Sequence, residues 1–323
     1  MNVLVVGGAG YVGGAVVDEL IDRHIGVTVF DNLLYEEVYR KDVPFAYGDI
    51  RDHVVLSPLL NKADAVIWLA ALVGDQACQR YPDLAVAINQ EPLKWLGECY
   101  CGRIIFTSTC SVYGDETLVC TEDTPPNPLS VYAETKLAAE RYLEESESII
   151  FRLGTLYGVG DYFSRIRLDL VVNAMTVKAH EDGKIAIYGG EQFRPLLHVK
   201  DAAHAIVSAV SCDECGVFNL HKQNVRIKDL AAQIRNHYPN AAMQVESQKL
   251  SDKRNYAVSS EKARATLGFM PVRSIDSGIE QIKELLASCR LKDTRNPRFS
   301  NGKFLPMHAA AELEKFNGSD LDR

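Results

Sequence analysis

Residues 2–14 read Asn2-Val3-Leu4-Val5-Val6-Gly7-Gly8-Ala9-Gly10-Tyr11-Val12-Gly13-Gly14. The run Asn2 to Val6 is almost wholly apolar and is closed by glycines, which suits a strand buried on both faces of a parallel sheet. Tyr11 to Asp22 then carries Val12, Ala15, Val16 and Leu20 at helical spacing and predicts a helix directly after the glycines. Between the two lies either G-x-G-x-x-G from Gly8 or G-x-x-G-x-x-G from Gly7. Both readings bring bare backbone close to a diphosphate, whose charge is met by the N–H groups and positive dipole of the helix N-terminus. Glycine turns after strands are common, and what gives this one weight is the strand before it and the helix after it. Gly7, Gly10, Tyr11, Val12 and Gly13 are therefore candidate diphosphate-binding positions.

The same alternation continues outward. Val27 to Phe30, Ala65 to Leu69, Arg103 to Thr107 and Ile149 to Leu153 are strand-like, and Val131 to Glu145 is helical. Strands alternating with helices predict an α/β fold, a Rossmann-type doubly wound parallel sheet. Beyond about residue 160 the pattern loosens, with helices expected at Leu168 to His180, Val199 to Val210 and Ile227 to Tyr238 and a short strand at Lys184 to Tyr188. The expected division is a dinucleotide-binding domain over 1–165, to which some later segments return, a smaller substrate-binding α/β domain over 166–290, and a tail over 291–323. The Arg-, Asn- and Pro-rich stretch Asp293 to Pro306 is expected to end the globular body, followed by a short helix at His308 to Phe316.

Composition narrows the class. The 323 residues, 47% hydrophobic and 24% charged, are ordinary for a soluble globular chain, and ~150 residues per domain suggests two units. No run approaches the ~18 apolar residues of a membrane span. No basic region or cleavage site surrounds the opening apolar run, so a cytoplasmic enzyme is expected. A net charge of -8 argues against a nucleic-acid-tracking surface. Eight cysteines are scattered, and the lone C-x-x-C, Cys212 to Cys215, has no partner set, so no metal is expected.

The second strand ends at Asp31-Asn32, roughly twenty residues past the glycine loop, where a carboxylate can accept hydrogen bonds from an adenosine ribose and repel a 2′-phosphate. With no Arg or Lys from Asp31 to Tyr35, NAD is favoured over NADP. Alone, Asp31 reads equally as a strand-end residue. Asp49-Ile50, after another short extended run, is placed to face the adenine, with a plain turn as the alternative.

The strand ending in Thr107-Ser108-Thr109-Cys110-Ser111 carries hydroxyls to a carboxyl edge, where open α/β sheets hold ligands. Further on, Tyr132 and Lys136 lie four apart on one helix face. An ammonium beside the phenol would lower the Tyr132 pKa from ~10 towards neutrality and make it a general base. Such a pair by itself is an ordinary surface feature. In the order glycine loop, strand-end hydroxyls, Tyr-x-x-x-Lys helix, it suits hydride chemistry.

On these motifs the chain resembles the extended short-chain dehydrogenase/reductase family, in its branch of nucleotide-sugar epimerases and dehydratases, over roughly residues 1–285. The resemblance implies that Thr109 hydrogen-bonds the sugar oxygen, Tyr132 is the acid/base and Lys136 holds the nicotinamide ribose. It places Leu69-Ala70-Ala71 and Asn89 beside the cofactor, and Ser108, Ser111, Thr155, Leu170 and Asn173 on the substrate side. Arg194 and Arg254 match segments that contact a diphosphate, for which the guanidinium fork is suited. Two departures narrow the chemistry. Cys110-Ser111 stands where 4,6-dehydratases have Asp-Glu, and Thr155 where many epimerases have Asn. The expectation is an NAD-dependent nucleotide-sugar 4-epimerase, with a 4-dehydrogenase or 4-ketoreductase as the alternative and a non-catalytic NAD or nucleotide-sugar sensor as the remote one. A homodimer is implied by resemblance only.

Overall fold

The computed structural model describes residues 1–161, 165–246, 254–288 and 290–305. Seven strands form one sheet in the order Gly216–Leu220, Ser148–Leu153, Arg103–Thr109, Ala65–Trp68, Asn2–Val6, Gly26–Asp31, Phe45–Tyr47. All neighbouring pairs are parallel. The order reverses at Asn2–Val6, so the crevice between its carboxyl end and that of Ala65–Trp68 is where a doubly wound sheet receives its ligand. Both faces are covered. Val3, Val5 and Ile67 pack on one side with Val16, Leu20 and Ile206, while Leu4, Val6 and Trp68 pack on the other with Leu56, Leu93 and Leu96. That double burial is why these strands read as unbroken apolar runs.

The helices Tyr11–Asp22 and the strand Lys184–Tyr188 have the bounds read from the sequence. The Tyr–Lys helix, Val131–Tyr142, stops three residues before the expected Glu145, because the Ser148 hydroxyl takes the Leu143 carbonyl at 2.8 Å. The helix expected from Leu168 begins at Val171, because Leu170 is extended backbone at φ −76°, ψ 141°, and the Leu168 N–H meets Phe299 O at 2.9 Å.

Chain from beyond residue 166 is shared between two lobes. The helix Val199–Ser208 packs on Tyr11–Asp22, and Gly216–Leu220 is an edge strand of the large sheet. The smaller lobe holds the strands Thr155–Tyr157, Phe193–His198 and Gln223–Arg226 in one sheet and Lys184–Tyr188 with Ala242–Glu246 in another. The helices Val171–Glu181, Ile227–His237 and Ile275–Ala287 surround them.

The stretch expected to end the globular body instead returns to it as a strap. Arg298 donates to Tyr35 O at 3.2 Å, Phe304 meets the Tyr35 ring with centroids 5.1 Å apart, and Leu305 is fully buried in the core beside the large sheet. The strap is polar along most of its length and has no periodicity, so only its few apolar anchors carry the signal. The helix expected at His308 to Phe316 lies outside the described residues.

Beneath the Tyr–Lys helix sits a buried ion pair. Glu140 and Arg152 are 3% and 5% exposed, with Nη2 to Oε2 at 2.7 Å and Nε 3.1 Å from both carboxylate oxygens. Arg152 Nη1 donates to the Tyr113 hydroxyl at 2.9 Å, and the Ser108 hydroxyl donates to Glu140. Glu140→Gln strands the guanidinium in the interior and is expected to cost about 3–5 kcal/mol in urea unfolding. The double change Glu140→Gln with Arg152→Met should recover most of that loss.

Candidate active site

A cleft of about 1860 Å3 runs along the carboxyl edge of the large sheet and is closed on its far side by the smaller lobe and the strap. Every residue singled out from the sequence lines it except Asn89, Ser111 and Asn173.

The glycine loop is built by close approach. Gly7 adopts φ +89°, and a Cβ there would lie 2.5 Å from Ala70 N, so the loop rests on the end of the Ala65–Trp68 strand. At Gly13 a Cβ would come within 2.3 Å of Gly7 O, which lets the helix start against the turn. Gly10 caps that helix without a side-chain hydrogen bond, and no acidic residue lies in its first turn. Its first N–H groups therefore face the cleft ready for an anion. Asp31 accepts from Ala9 N at 3.0 Å and Leu33 N at 2.8 Å, which fixes its carboxylate beside the loop and leaves lone pairs for hydroxyl donors. Burial raises its pKa, opposed by those two backbone bonds. Asn32, Leu69, Ala70 and Ala71 line the same part of the cleft. So do Asp49 and Ile50, where Asp49 is held by Arg51 at 2.8 Å. This bare-backbone cradle and acidic partner fit a dinucleotide.

Asn89 does not face that cradle. Its amide accepts from Leu72 N at 2.7 Å and donates to Leu72 O at 3.0 Å and to the Thr135 hydroxyl at 3.1 Å. It fixes the backbone after Ala71 and anchors the residue next to Lys136. Both of its amide ends are bonded within the protein, so it shapes the cofactor region without lining it.

Two elements bring Thr109, Tyr132 and Lys136 together. Thr109 ends its strand, and its hydroxyl oxygen accepts from Ser111 N at 3.1 Å, leaving its O–H proton to donate. Ser130 caps the Tyr–Lys helix by accepting from Ala133 N at 3.3 Å, and its own hydroxyl donates to Asp75 at 2.7 Å. Tyr132 and Lys136 thereby face the cleft with Thr109 and Ser108. Lys136 is 2% exposed, with Nζ 4.1 Å from the centre of the Phe106 ring and no carboxylate at ion-pair distance among the described residues. Burial pulls its pKa down to about 7, against the pull of Glu140.

Tyr132 departs from the expected electrostatics. Burial is the largest influence and raises the phenol, with Cys78 and Asp75 acting the same way and Arg167 and Arg254 lowering it. Lys136 has its ammonium over the Phe106 ring, an aim that helical spacing does not reveal.

The opposite wall carries the diphosphate candidates. Arg194 is 6% exposed and donates to Phe193 O at 2.8 Å and Arg254 O at 2.5 Å, so the two arginines are locked side by side. Arg254 reaches Asp75 at 3.0 Å and the Ser111 hydroxyl at 2.9 Å. Ser111 is thus a support for Arg254, further tied to the Tyr256 hydroxyl at 3.1 Å, and not a cleft residue. Thr155 and Leu170 line the cleft. Asn173 does not: fully buried, it accepts from Gly158 N at 2.9 Å and donates to Gly158 O at 3.2 Å and Arg167 O at 2.8 Å. Its position one turn into a helix suited either direction, and tertiary packing turned it to the Gly158 loop.

Sequence reasoning missed Arg165, Arg167 and Asp75, all of which line the cleft, as does Asp169, which opens the segment 169–173 that the resemblance places at the nucleoside diphosphate. Arg167 pairs with Asp169 through Nε at 2.9 Å and Nη2 at 3.1 Å. An R-x-R-x-D run was present to be noticed, but it lies in a loop without periodicity.

Comparison with known proteins agrees with this geometry. Residues 3–220 match the NAD dependent epimerase/dehydratase family. A UDP-glucose 4-epimerase of Halalkalibacterium halodurans is 29% identical over 310 residues, spanning 84% of this chain and 91% of that one. The solved UDP-glucose 4-epimerase of Thermotoga maritima with UDP-glucose superposes with a TM-score of 0.79 at 26% identity, covering 89% of this chain and 99% of its own. A UDP-glucuronic acid 4-epimerase from Bacillus cereus, in complex with UDP-glucuronic acid and NAD, gives a TM-score of 0.76 at 25% identity over 88% of this chain and all of its own. The match over two thirds of the sequence, on the lobe that carries the glycine cradle and the Thr109, Tyr132 and Lys136 set, makes the chain a member of the NAD dependent epimerase/dehydratase family.

Proposed function

We propose that this protein is an NAD-dependent nucleotide-sugar 4-epimerase. The observation that carries the reading is the convergence, in one cleft, of the dinucleotide cradle, the Thr109, Tyr132 and Lys136 set, and an opposing wall held by Arg194 and Arg254. The relatives named for 4-epimerisation of UDP-sugars support the same reaction class here. The glycine loop and Asp31 would hold NAD, with Lys136 at its ribose. When bound, NAD supplies the hydride acceptor and a positive ring charge.

The protein's own groups handle the proton. Thr109 donates to the C4 oxygen and orients it, and Tyr132 removes the hydroxyl proton as the carbon becomes a ketone, then returns it once the sugar has turned. Burial disfavours the phenolate, so Tyr132 depends on nearby positive charge, which Arg167 and Arg254 already provide in part. Water elimination is not served by positions 110 and 111. Cys110 is buried with its thiol on Arg152 O at 3.1 Å and its pKa pushed well up by desolvation, and Ser111 is committed to Arg254 and Tyr256. Among the described residues no helix is long and apolar enough to cross a membrane. A cytoplasmic homodimer completes the proposal and rests on the resemblance.

Incubated with a panel of UDP-hexoses and NAD, the protein should interconvert C4 epimers with no sustained rise in NADH absorbance. A steady rise would instead establish a net dehydrogenase. Tyr132→Phe should lower kcat by about 10²–10⁴-fold while UDP binding is unchanged; unaltered turnover would remove Tyr132 from the mechanism. Lys136 tests the buried cation. Its folded pKa of about 7 lies below the unfolded value, so the destabilisation from burying its charge is complete below pH 7 and fades as pH rises towards the unfolded value. Lys136→Met should therefore melt above the parent at pH 6, and the difference should shrink by pH 10.

A further inference from the structure

The loop that follows the strand Thr155–Tyr157 passes over the start of the Tyr11–Asp22 helix. The Tyr11 hydroxyl donates to Gly158 O at 2.8 Å, and a Cβ on Gly160 would lie 2.8 Å from Tyr11 O and 3.5 Å from the Ala15 Cβ. Five residues on is Arg165, only 4% exposed yet lining the cleft. Its guanidinium carbon stands 3.2 Å from the centre of the Tyr35 ring, and Nη2 donates to Asn301 Oδ1. Its buried Nε has no hydrogen-bond partner. Among the described residues no carboxylate lies within ion-pair distance of it, unlike Arg167 and Arg254 beside it.

A buried cation with carboxylates acting on it only from beyond ion-pair distance, here Asp169, Asp31 and Glu36, is costly, and an apolar side chain would fill the same space on Tyr35 without that cost. The charge therefore calls for an anion from the cleft. Desolvation already draws the guanidinium down to about 10. Two anions are available under the reading above, the cofactor diphosphate and the sugar-nucleotide diphosphate. Arg165 belongs with the first. It stacks on Tyr35, which follows Asp31 and Asn32, and its charge reaches Asp31 and Glu36. Arg194 and Arg254 lie with Ser111 instead.

We infer that Arg165 binds the diphosphate of the dinucleotide from the side opposite the glycine loop, and that the C-terminal strap holds it there through Asn301. The inference rests on the NAD reading. Asn301 is well placed for this duty: 3% exposed, it takes Asp169 through its N–H at 2.9 Å and donates Nδ2 to Val73 O at 2.8 Å, so one strap residue ties Arg165 to both walls. A planar guanidinium that lines the cleft matches phosphate oxygens.

The test is calorimetric titration of the full-length protein, freed of bound nucleotide, with NAD, ADP-ribose and UDP separately. Arg165→Gln should weaken NAD and ADP-ribose about tenfold or more, as expected for losing a charge-assisted hydrogen bond, and leave UDP within twofold. Arg165→Lys should retain part of the affinity, and Asn301→Ala should weaken the same two ligands about threefold. If Arg165→Gln does not fold, the Lys and Asn301 variants decide by the same pattern. Unchanged NAD affinity, or a larger loss for UDP than for ADP-ribose, overturns the assignment of Arg165 while the epimerase reading stands. A parent protein that binds UDP but neither NAD nor ADP-ribose overturns both.

Discussion

The buried pair of Glu140 and Arg152 is the constraint on which the active site depends. Glu140 lies one turn beyond Lys136 on the helix that carries Tyr132, and Arg152 lies on the strand next to the edge of the large sheet. Two ions at 3% and 5% exposure persist only as a well-bonded pair, so their contact fixes the helix on the sheet in one position. Ser108 joins the pair from the strand that ends in Thr109, and Tyr113 joins it from the turn after that strand. Through the Tyr113 hydroxyl, 2.9 Å from Asn219 Oδ1, the edge strand Gly216–Leu220 is included as well. One electrostatic requirement thus sets the relative placement of Thr109, Tyr132 and Lys136, which arrive from two separate elements.

Charge in the cleft is arranged with similar economy. The chain is acidic overall, at -8, and holds its anionic ligands with local devices. Arg167 is matched by Asp169, and Arg254 by Asp75, so these cations are preorganised by carboxylates. Lys136 and Arg165 are different, being buried against Phe106 and Tyr35 with aromatic faces in place of counter-ions. Among the described residues no carboxylate touches either charge, and that is where bound anions and hydroxyls gain most. Instability of the free protein at these two points is the counterpart of ligand affinity.

The C-terminal strap changes the meaning of the late sequence. Its polar residues meet both walls of the cleft, with Arg298 on Tyr35 and Asn301 on Val73, Asp169 and Arg165. Leu305 anchors it in the core of the large lobe. A segment that reads as the end of the body is in fact one of the surfaces that enclose the site.

The sequence by itself determined the inner strands of the sheet, the glycine turn and the shared helix face of Tyr132 and Lys136, because those depend on short-range signals. Apolar runs mark buried strands, Gly7 and Gly13 stand where no Cβ fits, and Tyr132 and Lys136 share a face through helix geometry alone. Asn89, Ser111 and Asn173 were assigned to the cleft and belong beside it, since an amide or hydroxyl announces its bonding capacity and not its direction. Only the tertiary structure decided that Lys136 rests on Phe106 and that burial raises Tyr132, that Glu140 meets Arg152, and that Arg165 meets Asn301, 136 positions away. The physical reason is common to all three. Burial and long-range pairing set the charge state and aim of a side chain, and neither leaves a periodic trace in the chain.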